Sequence, residues 1–482
     1  MTGSPLLTAA VMAAGAVVVG LGALLSVHFG RRARTVGDWL TARGSLPLPV
    51  VAVTQFASAA GGGVLVAHVG IAYAHGWSVF VYEFCVAAGL MLLAVIAPWL
   101  RSQDFRTLPD VLSRIYGSHR GLVTVGGIAT LALPIGWVCT QFGAFAALFS
   151  ELTGYPKTVL VGLVLVGTVA FVLPGGFTSV AWTDFVFGIV KIVLALGIGA
   201  YCVSVVGGWG VVADRLPELA APSSIGHAGS ERSWLWVAAI IPSTLSNQIY
   251  FQRVFATRDL RRARAGLVLG GATMAFAGIY ALLIGLAVRV MNPRLDPEAA
   301  AGWLLTQLPP AVLVLFGAFL VAVIVSASAA ALQSSVTTAV ADLKQKVLRR
   351  PGTDRSNLVA SRVATVVIAL LAGCVALYFP SVLGWMVALY AYSASVLTVP
   401  VFAGYALSRR YALGRGVALS AMVCGLVGCG AAQIAGTTVP YVVHGLGSSL
   451  AGLLVAFLLQ QVRTHRRGAP EQEAQRFAVA EE

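Results

Sequence analysis

The sequence predicts an all-α polytopic membrane protein of about thirteen helices: two five-helix halves in inverted repeat, one extra helix before them and two after. Three observations carry that prediction. Of 482 residues, 58% are hydrophobic and only 10% charged, against about 25% charged in soluble domains. The apolar runs are continuous and of bilayer length, about 20 residues each, which excludes an outer-membrane barrel built from short alternating strands. Two of the runs, five helices apart, are interrupted at mid-depth by residues that a lipid-facing helix avoids.

Apolar runs between charged breaks place the helices at 7–29, 46–73, 77–100, 121–152, 156–174, 180–206, 234–255, 263–290, 309–342, 360–380, 382–407, 415–436 and 441–462. The first run lacks a basic leader and is followed by Arg31, Arg32 and Arg34, the reverse of a secretory signal. It is expected to stay in the membrane with its N-terminus outside. Residues 1–45 then hold the extra helix and an inside loop, 46–206 the first repeat, 207–233 an outside loop and 234–407 the second repeat. Residues 408–462 form the two C-terminal helices, and 463–482 a cytoplasmic tail whose Arg, Gln and Glu predict disorder. Within 291–308, the amphipathic stretch from Glu298 to Leu308 before Pro309-Pro310 is a candidate lid or a plain connector.

The 32 Lys and Arg residues check this topology. Twenty-six fall on one side; five (Lys157, Arg215, Arg232, Arg289 and Arg294) fall on the other, and Lys191 lies inside a span. Cytoplasmic loops collect such residues, so the expectation is a cell membrane protein with its C-terminus in the cytoplasm. The net charge of +14 is dispersed over those loops rather than gathered on an arm, which argues against a nucleic-acid partner. Cys85, Cys139, Cys202, Cys374, Cys424 and Cys429 sit in apolar stretches without metal or redox spacing and read as packing residues. No HExxH, GxSxG or phosphate-binding glycine loop occurs. Neither an enzyme nor an organic cofactor is expected.

The first interruption is Ala57-Ser58-Ala59-Ala60-Gly61-Gly62-Gly63, three glycines each about 1 kcal/mol poorer than Ala in a helix. The second is Pro242-Ser243-Thr244-Leu245-Ser246-Asn247-Gln248, a helix-breaking proline with five polar side chains. Unwound backbone at that depth must line a cavity or be buried in protein. Corresponding breaks in two halves point to a transporter binding site. Glycines that merely allow close helix packing are the alternative.

With those breaks stand other motifs: Gly70-Ile71-Ala72-Tyr73-Ala74-His75-Gly76-Trp77-Ser78, Thr107-Leu108-Pro109-Asp110, Gly175-Gly176-Phe177 leading to Ala181-Trp182-Thr183-Asp184, Gln252-Arg253-Val254-Phe255-Ala256, and a Ser/Thr-containing helix running into Asp342-Leu343. In their order and spacing, from about residue 35 to 410, the chain resembles the sodium/solute symporter family of LeuT-like five-plus-five fold. The resemblance implies a secondary active transporter, a cation-coupled symporter of a small organic solute, working by alternating access. It places sodium on the carbonyls of Ala57, Ala60 and Val323 and the hydroxyl of Ser326, supported by Asp184. The next ligand position is Ala327, where the family has Thr or Ser. Ser328, about 200° around the helix from Ser326, cannot replace it. Ala59 stands where some members carry an acid. Na⁺ is thus the one implied cofactor, at a weakened site.

Three ionisable residues fall within the spans: Glu83, Asp184 and Lys191. Such residues are functional candidates because each is costly in lipid. Lys191, two turns beyond Asp184, can replace or modulate the bound cation in sodium-independent or proton-coupled transport, since buried Lys can lose its proton near neutral pH. Snorkelling or a structural ion pair is the alternative role. The candidate solute site comprises Ser58, Gly61, Gly62, Gly63, His68, Glu83, Ser243, Thr244, Ser246, Asn247, Gln248 and Tyr390, with Tyr390 and Tyr392 as candidate gates. With no Arg expected in the cavity, a zwitterionic or neutral metabolite is favoured over a strong anion. A transporter-like solute sensor remains the competing reading, which the thinned hydroxyl cluster permits.

Overall fold

The computed structural model describes residues 5–31, 35–103, 105–378 and 382–480, excluding the side chains of Arg43, Val382, Leu383 and 464–480. Arg32 and Arg34, and the joint between the helices expected at 360–380 and 382–407, lie outside the described residues. Every regular element among the described residues is helical. The first, α1 (Pro5–Gly30), is followed by an interrupted pair, α2 (Leu48–Ala59) and α3 (Gly62–His75), then by α4 (Val79–Ser102), α5 (Arg120–Thr153), α6 (Lys157–Val172) and α7 (Gly176–Val205). A second interrupted pair, α8 (Ser230–Leu245) and α9 (Gln248–Val254), opens the second half. Then come α10 (Leu260–Met291), α11 (Pro310–Thr338), α12 (Asp354–Ala376), α13 (Val382–Ser393, continuing to Ser408), α14 (Arg415–Ala435) and α15 (Tyr441–Ala480).

Ten helices among the described residues are long and apolar enough to cross a membrane, rather than thirteen. The difference lies where chain is broken or short. Leu48–Ala59 and Lys157–Val172 fall below that length, and the segment expected at 234–255 is cut in two. The tail also departs from expectation: its backbone continues the last helix to Ala480, as the helix-forming Ala, Glu, Gln and Arg there allow.

Helix α11 is the central post. From Phe319 to Thr338 its residues are buried, against α5, α7 and α1. Small residues let the neighbours close in: Gly15 of α1 lies under Val321, and a Cβ on Gly22 would fall 2.0 Å from the Phe171 ring. Two π-helical stretches, Ala339–Val347 at the end of α11 and Ala394–Thr398 inside α13, interrupt otherwise regular helices, a device frequent at functional sites. One cavity of about 610 Å³ opens on the arginine-rich face, lined by Thr41, Arg101, Arg258, Thr337 and Asp354 among others. Another of about 610 Å³ opens on the opposite face beside His75, Arg232, Trp236, Asp296 and Glu298. The loop helix Ala300–Gln307 and the turn before it pack on α3, where Gly70 admits the Pro297 carbonyl.

Candidate solute and cation sites

The first interruption spans two residues. Ala60 (φ −87°, ψ 69°) leaves the helical region, Gly61 (φ −83°, ψ 173°) is extended, and α3 restarts at Gly62. Gly62 and Gly63 therefore belong to the restarted helix rather than to an unwound stretch. Close approach explains Gly62, since a Cβ there would sit 1.9 Å from Cγ1 of Ile324. Gly61 lies against the Gln141 amide, whose Oε1 accepts the Gly63 N–H at 3.1 Å. Gln141 was not foreseen; a lone Gln in an apolar helix carries no pattern to single it out.

Unwinding frees the Ala57 and Ala60 carbonyls, and Lys191 takes both. Its Nζ donates to Ala57 O at 2.6 Å and to Ala60 O at 3.3 Å. The side chain is 3% exposed, in surroundings otherwise made of Phe56, Leu65, Phe276, Phe319 and Val323. Of the residues the resemblance assigned to sodium, Ala57, Ala60 and Val323 thus gather around a lysine ammonium. The ammonium neither snorkels nor pairs with an acid.

Ser326 and Asp184 belong to a second cluster. Asp184, fully buried, accepts from Ser326 Oγ (2.5 Å), Thr54 Oγ1 (2.7 Å) and Ser58 Oγ (3.1 Å), and pairs with Nη2 of Arg253 at 3.4 Å. Arg253 also donates to Thr54, to the Ser58 hydroxyl and to the Ile249 carbonyl, and stacks over Phe177. Ser58, expected to face solute, is therefore committed to this ion pair. Arg253 was counted as an inside-loop cation, but the second break carries α9 inward and buries it completely. Through it the two interrupted segments are tied together.

At that second break, Ser246 and Asn247 leave the helix, and Asn247 Oδ1 caps α9 by accepting the Ile249 N–H at 2.9 Å. Thr398, on the π-helical stretch of α13, donates to the Pro242 carbonyl at 3.0 Å and lies 3.2 Å from Ser246 Oγ. The hydroxyls of Ser243 and Thr244 and Nδ2 of Asn247 are buried with no hydrogen-bond partner in the protein. Gln248 turns the other way: its amide accepts from Leu108 N and donates to Arg106 O, both at 3.1 Å. It braces the loop at Arg106 and Leu108 rather than turning toward Ser243 and Thr244.

His68 and Glu83 form a buried pair, Nδ1 to Oε1 at 2.6 Å, with 1% and 2% exposure. The His68 ring meets the edge of Tyr82 at 4.4 Å, and Tyr82 in turn meets Trp236 (6.0 Å) and Tyr390 (6.4 Å). Trp137 completes the group 6.0 Å from Tyr390. Tyr392 is not part of it; its hydroxyl donates to Gln433 on α14 at 2.6 Å. Lys191 joins the carbonyls described above rather than the His68–Glu83 pair, and no group of three or more His, Cys, Asp or Glu able to hold a metal occurs among the described residues.

Near the arginine-rich face, Lys346 bridges Asp342 (2.6 Å) and Asp110, while Thr107 donates to Asp342 at 3.0 Å. This joins the end of α11 to the short helix Leu108–Tyr116, which Thr107 and Asp110 cap reciprocally. Burial pushes the Tyr116 phenol on that helix up from its ordinary pKa.

The sequence model of the sodium:solute symporter family matches residues 39–425. The chain belongs to that family. It is 23% identical over 380 residues to the sodium/sialic acid symporter NanT of Aliivibrio fischeri, covering 73% of each. It is 24% identical over 371 residues to the high-affinity proline transporter PutP of Bacillus subtilis, 71% of this chain and 75% of that one. A solved Na⁺-coupled sialic acid symporter, substrate-bound and outward-open, superposes with TM-score 0.78 at 17% identity, covering 93% of this chain and 98% of that one. The nucleobase-cation symporter Mhp1 follows at 0.54 and 18%, covering 87% and 94%. These likenesses establish the LeuT-like fold of the sodium:solute symporters, whose relatives named here are transporters.

Proposed function

We propose that this family member is a secondary active carrier of a small polar organic solute that works without sodium, Lys191 supplying the cation and its proton the coupling ion. One observation carries the reading: the Lys191 ammonium occupies the Ala57 and Ala60 carbonyls exposed by the first break. Ala327 adds no hydroxyl, and Ser326 spends its own on Asp184. A sodium ion 4 Å from this ammonium would be repelled by about 4 kcal/mol at an effective dielectric of 20. Loss of the proton removes the charge that ties α7 to α2, which gives solute binding and helix movement a common switch. The Lys and Arg distribution supports a cell membrane orientation with the N-terminus outside, so that the cavity near Arg101 and Arg258 opens to the cytoplasm. No catalytic role is assigned to any residue.

The test is thermal unfolding of purified protein in NaCl and KCl buffers of equal ionic strength. The wild type should melt at the same temperature in both. Lys191→Ala vacates the carbonyls and should gain sodium-specific stabilisation, about 1.4 kcal/mol when sodium is ten times its Kd. Sodium-specific stabilisation of the wild type would overturn the proposal.

A further inference from the structure

We propose that the buried polar and aromatic cluster around His68 and Glu83 binds a small organic ammonium solute bearing a hydroxyl or carbonyl oxygen. The inference rests on the solute-carrier reading above but not on the role given to Lys191. Around the His68–Glu83 pair converge four aromatic side chains from four different helices, Tyr82 (α4), Trp137 (α5), Trp236 (α8) and Tyr390 (α13), each no more than 2% exposed. Successive rings meet at interplanar angles of 71° to 73°, so their faces do not stack against one another but turn in different directions. Aromatic faces set around a point attract a cation through their quadrupoles, most strongly where water is excluded.

Charge decides between solute classes. Glu83 is the acid of the cluster, and no Lys or Arg pairs with it; its partner is His68, and a carboxylate sharing a proton with an imidazole carries no net positive charge. The buried cations that might have neutralised it are engaged elsewhere, Lys191 on two carbonyls and Arg253 on Asp184. An anionic solute would therefore find no net positive charge to bind, whereas an ammonium can pair with the Glu83 carboxyl group. The oxygen of the solute is inferred from other atoms. Nε2 of His68 and Nε1 of Trp137 are buried without hydrogen-bond partners in the protein, and such groups require a polar occupant. Trp236 also lines the neighbouring cavity, whose charged side chains are Asp296, Glu298 and Arg232.

The experiment is equilibrium binding to the purified full-length protein in sodium-free buffer, using choline as the ammonium probe, myo-inositol as the neutral probe and sialic acid as the anionic one. Choline should bind saturably and the other two should not compete with it. Glu83→Gln, which keeps the shape and removes the charge, should weaken choline at least about tenfold, and Trp137→Leu should do so independently through the lost ring face. Should Glu83→Gln fail to fold, the probe ranking and the Trp137 variant still decide the matter. Binding of inositol or sialic acid in preference to choline, unchanged choline affinity in Glu83→Gln, or no choline binding at millimolar concentration in either sodium-containing or sodium-free buffer would each overturn the inference. Choline binding that appears only with sodium would overturn the sodium-free carrier instead and leave the ammonium site standing.

Discussion

Breaking the Asp184–Arg253 pair should cost far more than removing both charges together. Both residues are fully buried, and Asp184 is held by three hydroxyls as well as the guanidinium. Asp184→Asn removes the carboxylate charge while the hydroxyls can re-orient to the amide, so Arg253, which can only donate, keeps its charge without compensation. Removing one member of a buried pair typically costs about 3–5 kcal/mol, whereas replacing both with neutral residues of similar volume is often close to neutral. Arg253→Met leaves Asp184 unpaired and should fall in the same range. The double variant should then be at least about 2 kcal/mol more stable than the sum of the single costs implies. The assay is denaturant titration of the four proteins in detergent micelles, followed by tryptophan fluorescence. Two single variants that each lose under about 1 kcal/mol and combine additively would refute the buried-pair account.

Further outcomes follow from the same geometry. Gly62→Ala should lower stability by about 1–3 kcal/mol through overpacking on Ile324, and Ile324→Ala in the same chain should recover part of the loss in melting temperature. Lys346→Met leaves Asp342 buried beside Asp110 without its cation and should cost about 1–3 kcal/mol. Hydrogen exchange at residues 108–116 should quicken with it, and unchanged exchange there would contradict the bridging role.

Both helix breaks were legible because glycine runs and a proline amid polar residues are backbone signals, and backbone conformation follows residue type. Lys191, Glu83 and His68 were legible because an ionisable group is costly in an apolar helix. Side-chain direction beyond a break was not. The turn at Ser246 and Asn247 resets the helical phase, so Gln248 swings to the loop at Arg106 and Leu108 although it continues the polar run of Ser243 and Ser246. Arg253 was hidden for the same reason, lying next to an arginine-rich loop in sequence yet lifted into the core by the short helix α9. Trp137, Trp236 and Tyr82 show apolar periodicity whether they pack or bind, and only their convergence from separate helices with the His68–Glu83 pair distinguishes the two. The thirteen expected crossings appear as ten long apolar helices among the described residues because three of the apolar runs are short or cut.

The most direct measurement is a density map of the purified wild type prepared in sodium chloride, at a resolution that separates ions from side chains. Density touching the Ala57 and Ala60 carbonyls should run unbroken into the Lys191 side chain. An isolated peak between those oxygens, with Lys191 turned toward lipid or toward Asp184, would show that sodium retains its place and that the lysine has another task.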